Sequence, residues 1–511
     1  MVTNILRAAV MALVGIAMVP YYIDRFGIAT YAVIPLVTSL TTYVQIASDS
    51  LGESFARFLI LAIQKGDETE TNRTYSSSVI GMFRLMMLFL PVVIILSLIS
   101  PVVFSTGNAS NSDIQIMFFL VLLSSLMMSF ITCLNSAFMA YNYLFVIYIF
   151  RIVHTLMQVG LVLLFFFTEG PSLVLLGVSF FISAVVLVIG MFCGVRRINP
   201  DLKISRAVYD NKLVIEMSSL GIWNMVARLG ELLFIQASII VVNIMLGSEV
   251  QGEFSIAANM ISIVYTVCSS ISAVSVPLIY KYYNDGDRGM MESTLRIFTK
   301  LTGLIMVFPL AYLCIFAPQI LNVWLSEEYP NVVKMMMLTI PVCLAKCVFN
   351  ILGSVPIVYS MLKPVSIVTC LIGGLNVLMM VAFITFTDTG VYGVCVAWSI
   401  SMLALDAVYY PIFISKLTGI KLMTFYRPLI ENYLVFGVFI LIGVILNHYY
   451  ALPSTWLALI LSSVIGFAAF ITALFRIGLN KEEKKIVSNY FPKSIRRLII
   501  GKTVFGNSGQ Y

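Results

Sequence analysis

The chain has 511 residues, 60% of them hydrophobic and 11% charged, with a mean hydropathy of +1.00. Soluble domains keep roughly a quarter of their residues charged; 31 Lys+Arg and 24 Asp+Glu cannot cover a water-facing globule of this size, so a soluble enzyme is excluded. The composition is that of an all-α polytopic membrane protein, and the net charge of +7 is explained by basic loops on one membrane face without any role for nucleic acid.

A bilayer helix needs about 20 mostly apolar residues. Apolar runs bounded by charges or Gly/Pro/Asn clusters predict about 14 transmembrane helices, near 5–23, 30–62, 76–100, 114–140, 143–168, 172–193, 214–246, 252–280, 292–316, 332–360, 364–386, 390–415, 429–448 and 453–475. The first run lacks a small-x-small cleavage site and leads straight into the next, so it reads as a helix rather than a signal peptide. Pro20, Pro35, Pro277, Pro341 and Pro356 mark candidate kinks. The even-numbered connections and the tail hold about 22 of the cations, among them Lys65, Arg73, Arg196, Arg197, Lys281, Arg288, Lys416 and Lys421, whereas the odd connections hold about one, Arg25. Both termini are therefore expected in the cytoplasm, with the chain in the cell (inner or plasma) membrane.

Shifted by about 220 residues, the chain partly matches itself. Phe26-Gly27 falls on Leu246-Gly247, and Lys65-Gly66-Asp67 on Asp285-Gly286-Asp287. A repeat of six spans enters the membrane in one orientation both times, which predicts two six-helix lobes related by a pseudo-twofold along the membrane normal, plus two C-terminal helices. The expected divisions are an N-lobe at 1–193, a basic linker at 194–213, a C-lobe at 214–415, helices 13 and 14 at 416–476, and a basic tail at 477–511 that hugs anionic lipid. The eight cysteines lie in apolar runs without CxxC spacing and read as small buried hydrophobes. His154 and His448 are the only histidines, and no metal or other cofactor is expected.

The run PYYIDRFGIATYAVIPLVTSLTTYVQIASDSLGESFARFLI, from Pro20 to Ile60, with Pro20, the Phe26-Gly27 turn, Tyr31 and the polar stretch Asp49 to Arg57, resembles the polysaccharide transporters. These are the O-antigen flippase branch of the multidrug/oligosaccharidyl-lipid/polysaccharide exporter superfamily. The resemblance implies two lobes around a central cavity, alternating access, a lipid-diphosphate-linked oligosaccharide as cargo and ion coupling. Membrane lipids and polysaccharide assembly proteins are the further partners it implies.

A charge inside the bilayer costs roughly 2.5 to 3.5 kcal/mol on insertion scales, so each one asks for a partner, water or a role. Arg151, His154 and Gln158 follow helical spacing on one face of span 5. Lys346 sits about 21 Å from either end of span 10, and Asp406 about 14 Å from the inner end of span 12. Lys346 and Asp406 read either as a buried structural pair or, with Arg151, as part of a cationic cavity wall for phosphate oxygens. Asp49, Glu53 and Arg57 form an i, i+4, i+8 ladder expected to satisfy itself. Arg7 and Arg228 reach a similar depth, with Glu231 three residues from Arg228. This layer reads as structural or snorkelling, or as a gate between lobes. Arg84 and Lys300 are expected to snorkel. The substrate-binding candidates are Arg151, Lys346, His154, Gln158 and Arg228; those for ion coupling or gating are Asp406, Asp49, Glu53, Arg57, Glu231 and Arg7.

The leading reading is a flippase carrying a lipid-linked oligosaccharide to the outer leaflet. An ion-coupled multidrug exporter is the alternative. An intramembrane polysaccharide polymerase or ligase is disfavoured because no outward connection is large enough to hold a catalytic apparatus. No catalytic residue is assigned, and the chain is not expected to be an enzyme.

Overall fold

A computed structural model describes residues 2–273, 275–450 and 453–474. The basic tail falls outside the described residues. Fourteen long helices run along the described chain: α1 (Val2–Phe26), α2 (Val33–Gln64), α3 (Glu68–Val103), α4 (Asn111–Ala140), α5 (Leu144–Thr168), α6 (Leu173–Ile198), α7 (Asn211–Leu246), α8 (Ser248–Ala273), α9 (Arg288–Leu325), α10 (Pro330–Phe349), α11 (Leu362–Phe386), α12 (Val391–Met402), α13 (Met423–Tyr450) and α14 (Trp456–Ala473). Counted with their short extensions, 13 of these are long and apolar enough to cross a membrane among the described residues. The remaining one, α2, has 32 residues and carries Asp49, Glu53 and Arg57. The chain is an all-helical, multi-pass membrane protein.

Two compact units form. One holds the described residues up to Thr266 together with Asn331–Thr339 and Tyr359–Leu405; the other holds Val267–Pro330, Ile340–Val358 and the described residues from Asp406 onward. In lipid, burying apolar side chains against each other gains little over burying them against acyl chains, so close van der Waals packing holds such helices together. In the first unit Phe55 and Leu59 of α2, Tyr75 and Met82 of α3, and Leu134 and Phe138 of α4 are nearly sealed from solvent. Small residues bring the backbones close: a Cβ on Gly52 would stand 2.8 Å from Thr132 Cβ across the α2–α4 contact. At the α7–α11 crossing, a Cβ on Gly230 would lie 2.8 Å from the Cys370 nitrogen, and one on Gly373 2.7 Å from the Gly230 oxygen. Asn376 Nδ2 donates to Leu233 O at 3.0 Å on the same seam. Buried serines turn inward onto their own helices, as Ser78 does to Thr74 O at 2.8 Å and Ser97 to Val93 O at 2.7 Å, which removes the cost of an unsatisfied hydroxyl in lipid.

The connection between α6 and α7 is shorter than the sequence suggested, because α6 continues to Ile198 and α7 starts at Asn211. It is docked on α3: Ser76 Oγ donates to Lys203 O at 3.0 Å, the Asp210 N–H donates to Ser77 Oγ at 3.0 Å, and Arg73 pairs with Asp210. Asp210 also caps α7, accepting from the Lys212 N–H at 2.8 Å.

The glycines that a 220-residue shift brings into register share their backbone angles. Gly27 and Gly247 take φ/ψ of 72/163° and 90/173° after α1 and α7. Gly66 and Gly286 take φ of 71° and 67°, and each is followed by an aspartate that caps the next helix: Asp67 accepts from Thr69 N and Glu70 N, and Asp287 from Met290 N.

In the second unit α9 is broken at Phe316 (φ −106°, ψ 16°), two residues before Pro318. Phe308 meets Phe439 of α13 and Phe467 and Phe470 of α14 at centroid distances of 5.7, 5.5 and 5.9 Å. Tyr312 Oη donates to Leu459 O at 2.8 Å. Helices α13 and α14 are thus knit to α9 by rings and a polar tie. Five of the eight cysteines are buried, as expected; Cys314 and Cys370 are part-buried and Cys193 is exposed.

Candidate functional site

Helices α1, α2, α5 and α7 of the first unit each bring a charge into one neighbourhood. Asp49 of α2 stands with its Oδ2 3.9 Å from Arg228 Nη1 of α7, both side chains about two-fifths exposed at 43% and 40%. The Asp49 carboxylate is also within electrostatic reach of Arg151 on α5. Arg151 in turn feels Arg7 of α1. Arg7 contacts Met11 Sδ at 3.5 Å and lies over the Tyr148 ring at 5.8 Å. His154 is one turn beyond Arg151 and feels its charge, and Gln158 follows, part-buried. No ion pair or side-chain hydrogen bond joins the part-buried Arg151 guanidinium to another of the described residues. Two guanidinium groups, those of Arg151 and Arg228, therefore gather about one described carboxylate, with a third, that of Arg7, beside Arg151.

The Asp49–Glu53–Arg57 ladder expected along α2 lies only partly within the described residues. Asp49 pairs across to α7, because α2 and α7 pack side by side and place Arg228 opposite it. Arg57 is exposed, and the side chain of Glu53 lies outside what the structure describes. Glu231 is exposed on α7 and has contacts of its own.

Lys346 and Asp406 both belong to the second unit. Lys346 Nζ stands 3.5 Å from Asp406 Oδ2, with the side chains 23% and 9% exposed. Asp406 sits on a π-helical stretch, Leu403–Tyr409, that continues α12 and leads into a short helix, Tyr410–Thr418. Tyr426 Oη donates to Ala407 O at 2.6 Å there. A π turn inside an α-helix is rare and frequently marks a functional position. Pairing with the ammonium offsets the cost of burying the Asp406 carboxylate, and the pair is worth little beyond that.

Arg84 does snorkel, donating to Tyr209 Oη at 2.8 Å with its guanidinium 4.3 Å from that ring. Lys300 does not. It is 8% exposed, and its Nζ lies 3.0 Å from Glu431 Oε2 of α13. Glu431 also accepts from Arg427 Nε at 3.1 Å, and Asn432 Nδ2 donates to Lys300 O at 3.4 Å. The sequence reading passed over Glu431; the i, i+4 Arg427–Glu431 spacing at the head of an apolar run was the available signal.

The chain is 22% identical over 481 residues to "Uncharacterized membrane protein EpsK" of Bacillus subtilis (strain 168), with 93% of this chain and 94% of that protein covered. Its fold is similar to the inward-facing conformation of a multidrug resistance MATE family transporter of the MOP superfamily, at a TM-score of 0.70 and 13% identity over 81% of this chain and 96% of the other. It is similar also to the lipid II flippase MurJ in an inward closed conformation, at a TM-score of 0.68 and 13% identity over 93% and 98%. The profile of the family described as Polysaccharide biosynthesis protein matches residues 2–283. Matched over more than half of its length, the chain belongs to the polysaccharide biosynthesis protein family.

Proposed function

We propose that the protein is a flippase that moves a lipid-diphosphate-linked oligosaccharide, the precursor of a cell-surface polysaccharide, from the cytoplasmic to the outer leaflet of the cell membrane. In this reading both termini are cytoplasmic, two six-helix lobes alternate access, and the chain is a carrier rather than an enzyme. The observation that carries the proposal is the gathering of Arg151 and Arg228 about Asp49, with Arg7 beside Arg151.

A diphosphate presents several acceptor oxygens and negative charge, and a guanidinium meets it with a planar fork of donors. Half-exposed charges at this depth face water rather than acyl chains. Arg151, whose guanidinium has no bonded partner among the described residues, is the anchor; Arg7 and Arg228 flank it, and His154 and Gln158 extend the polar face toward the sugars. Asp49 offsets the mutual repulsion of the arginines when cargo is absent and competes with the diphosphate when it is to leave. A cargo that prefers one access state shifts the population toward it in proportion to that preference. The Lys346–Asp406 pair is the coupling element, since a buried carboxylate that gains a proton releases its lysine.

Complementation of a deletion strain tests the proposal. Arg151→Ala should insert at wild-type level yet leave lipid-linked oligosaccharide on the inner leaflet and little glycan at the surface. Full export by that variant overturns the anchor. Sensitivity of the deletion strain to cationic drugs, with normal surface glycan, would favour the multidrug exporter instead.

A further inference from the structure

We infer that the second unit holds a separate binding site for the phosphate headgroup of an anionic membrane lipid, between the heads of α9 and α13. A cavity of about 270 Å³ opens there, lined by Arg296, Lys300, Lys421, Thr424, Arg427 and Glu431 among others. That is just under the ~300 Å³ at which drug-sized pockets begin, and suits a headgroup.

The charge is lopsided. Glu431 is the one carboxylate among the lining residues, and it is engaged by Lys300 at 3.0 Å and Arg427 at 3.1 Å. The neighbouring Glu292 accepts from Thr424 Oγ1 at 3.1 Å. Arg296, one turn before Lys300 on the same face of α9, and Lys421, just ahead of α13, are exposed and pair with no carboxylate among the described residues. Two cations thus converge on a cavity whose acids are already engaged. The head of α13 adds the positive end of a helix of 28 residues with no acid in its first turn.

Depth and the apolar surroundings select a lipid over a soluble anion. The cavity lies where charged residues give way to the apolar runs that begin at Leu301 on α9 and Tyr433 on α13, which is headgroup level. From it an apolar strip descends α13: Ile430, Leu434, Val438 and Leu441 follow helical spacing and are 51%, 65%, 57% and 62% exposed. A cationic cavity at the top of a bare apolar strip matches a molecule with a phosphate head and acyl tails. These residues take no part in the Arg151 cluster, so this site stands or falls apart from the flippase reading.

The full chain in nanodiscs provides the test, with native mass spectrometry counting retained lipid. Phosphatidylglycerol should be retained in preference to phosphatidylcholine, and Arg296→Ala with Lys421→Ala should weaken that retention about 30-fold, from roughly fivefold per cation at a charged surface. Both positions are exposed, which favours a folded double variant; Arg296→Gln alone, at about fivefold, serves should it fail. Lys416→Ala, outside the cavity, should change nothing. Equal retention of the two lipids by the wild type overturns the site, as does undiminished preference in the double variant. Inorganic pyrophosphate separates the sources: if it displaces phosphatidylglycerol at equal concentration, the site is one for soluble phosphates and the lipid assignment is lost.

Discussion

Lys300 Nζ of α9 lies 3.0 Å from Glu431 Oε2 of α13, a lysine 10% exposed in its side chain against a glutamate at 35%. Removing the carboxylate strands the ammonium in a poorly hydrated place. Glu431→Gln is expected to cost about 1–3 kcal/mol, less than a fully buried pair because Glu431 is a third exposed. Replacing both, as Lys300→Met with Glu431→Leu, should recover most of it. Thermal unfolding in detergent checks this; a single variant as stable as wild type refutes the structural role.

The α7–α11 crossing should reject side chains on one side of α11 and accept them on the other. A Cβ on Gly373 meets the Gly230 carbonyl at 2.7 Å, whereas Gly374 has nothing within 4 Å. Backbone cannot move aside as a side-chain end can, so Gly373→Ala should destabilise by about 1–3 kcal/mol. Gly374→Ala should be neutral, or stabilising by up to about 1 kcal/mol through helix propensity. Unfolding midpoints of the two variants measured side by side decide it.

Asp49 is the carboxylate set against Arg228 at 3.9 Å and within reach of Arg151. Asp49→Asn keeps the shape and removes the charge that, in the proposed flippase, competes with a diphosphate. In a reconstituted flipping assay, KM and kcat should both fall, each by roughly tenfold, the pattern of a ground state bound too well. A higher KM with unchanged kcat would mean that Asp49 helps to hold cargo.

The docked connection before α7 should depend on pH. The Arg73 guanidinium bonded to Asp210, with the Lys212 and Leu213 N–H groups, holds the Asp210 carboxyl below the usual carboxylate range. A depressed folded-state value means the contribution is complete above the ordinary aspartate value of about 3.9 and is lost as pH falls through the lower folded value. Pepsin digestion at descending pH should therefore begin to cut residues 199–209 below about pH 4. Asp210→Asn, which keeps a cap but loses the charge, should be cut at every pH at which pepsin works.

Which charges are embedded was legible in the sequence, since Arg7, Asp49, Arg151, Arg228, Lys346 and Asp406 all interrupt apolar runs. Their partners were not. Spacing along α2 offers Asp49 no cation nearer than Arg57, two turns on, whereas helix packing supplies Arg228 from 179 positions away. The snorkelling expected of Lys300 failed for the same reason, because Glu431 reaches it from another helix. For Lys346 and Asp406 the sequence left two readings open, and the 3.5 Å contact is the geometry of the pair. Nothing in the residues 403–409 announces a π turn, which arises from a slip in backbone hydrogen bonding rather than from any residue type. The helix count was the easiest part, as hydropathy marks 13 of the fourteen long helices among the described residues.

The left-handed glycines at 27, 66, 247 and 286 have a bearing on the ancestry of the two halves. Positive φ shuts out nearly every residue with a Cβ, while a helix facing lipid accepts most apolar side chains. If the halves descend from one duplicated segment, mutation was free to erase the likeness of their helices but not of these corners. On that descent, the kinship of the halves would be kept in the bends of the chain, while the straight stretches between them were free to drift apart.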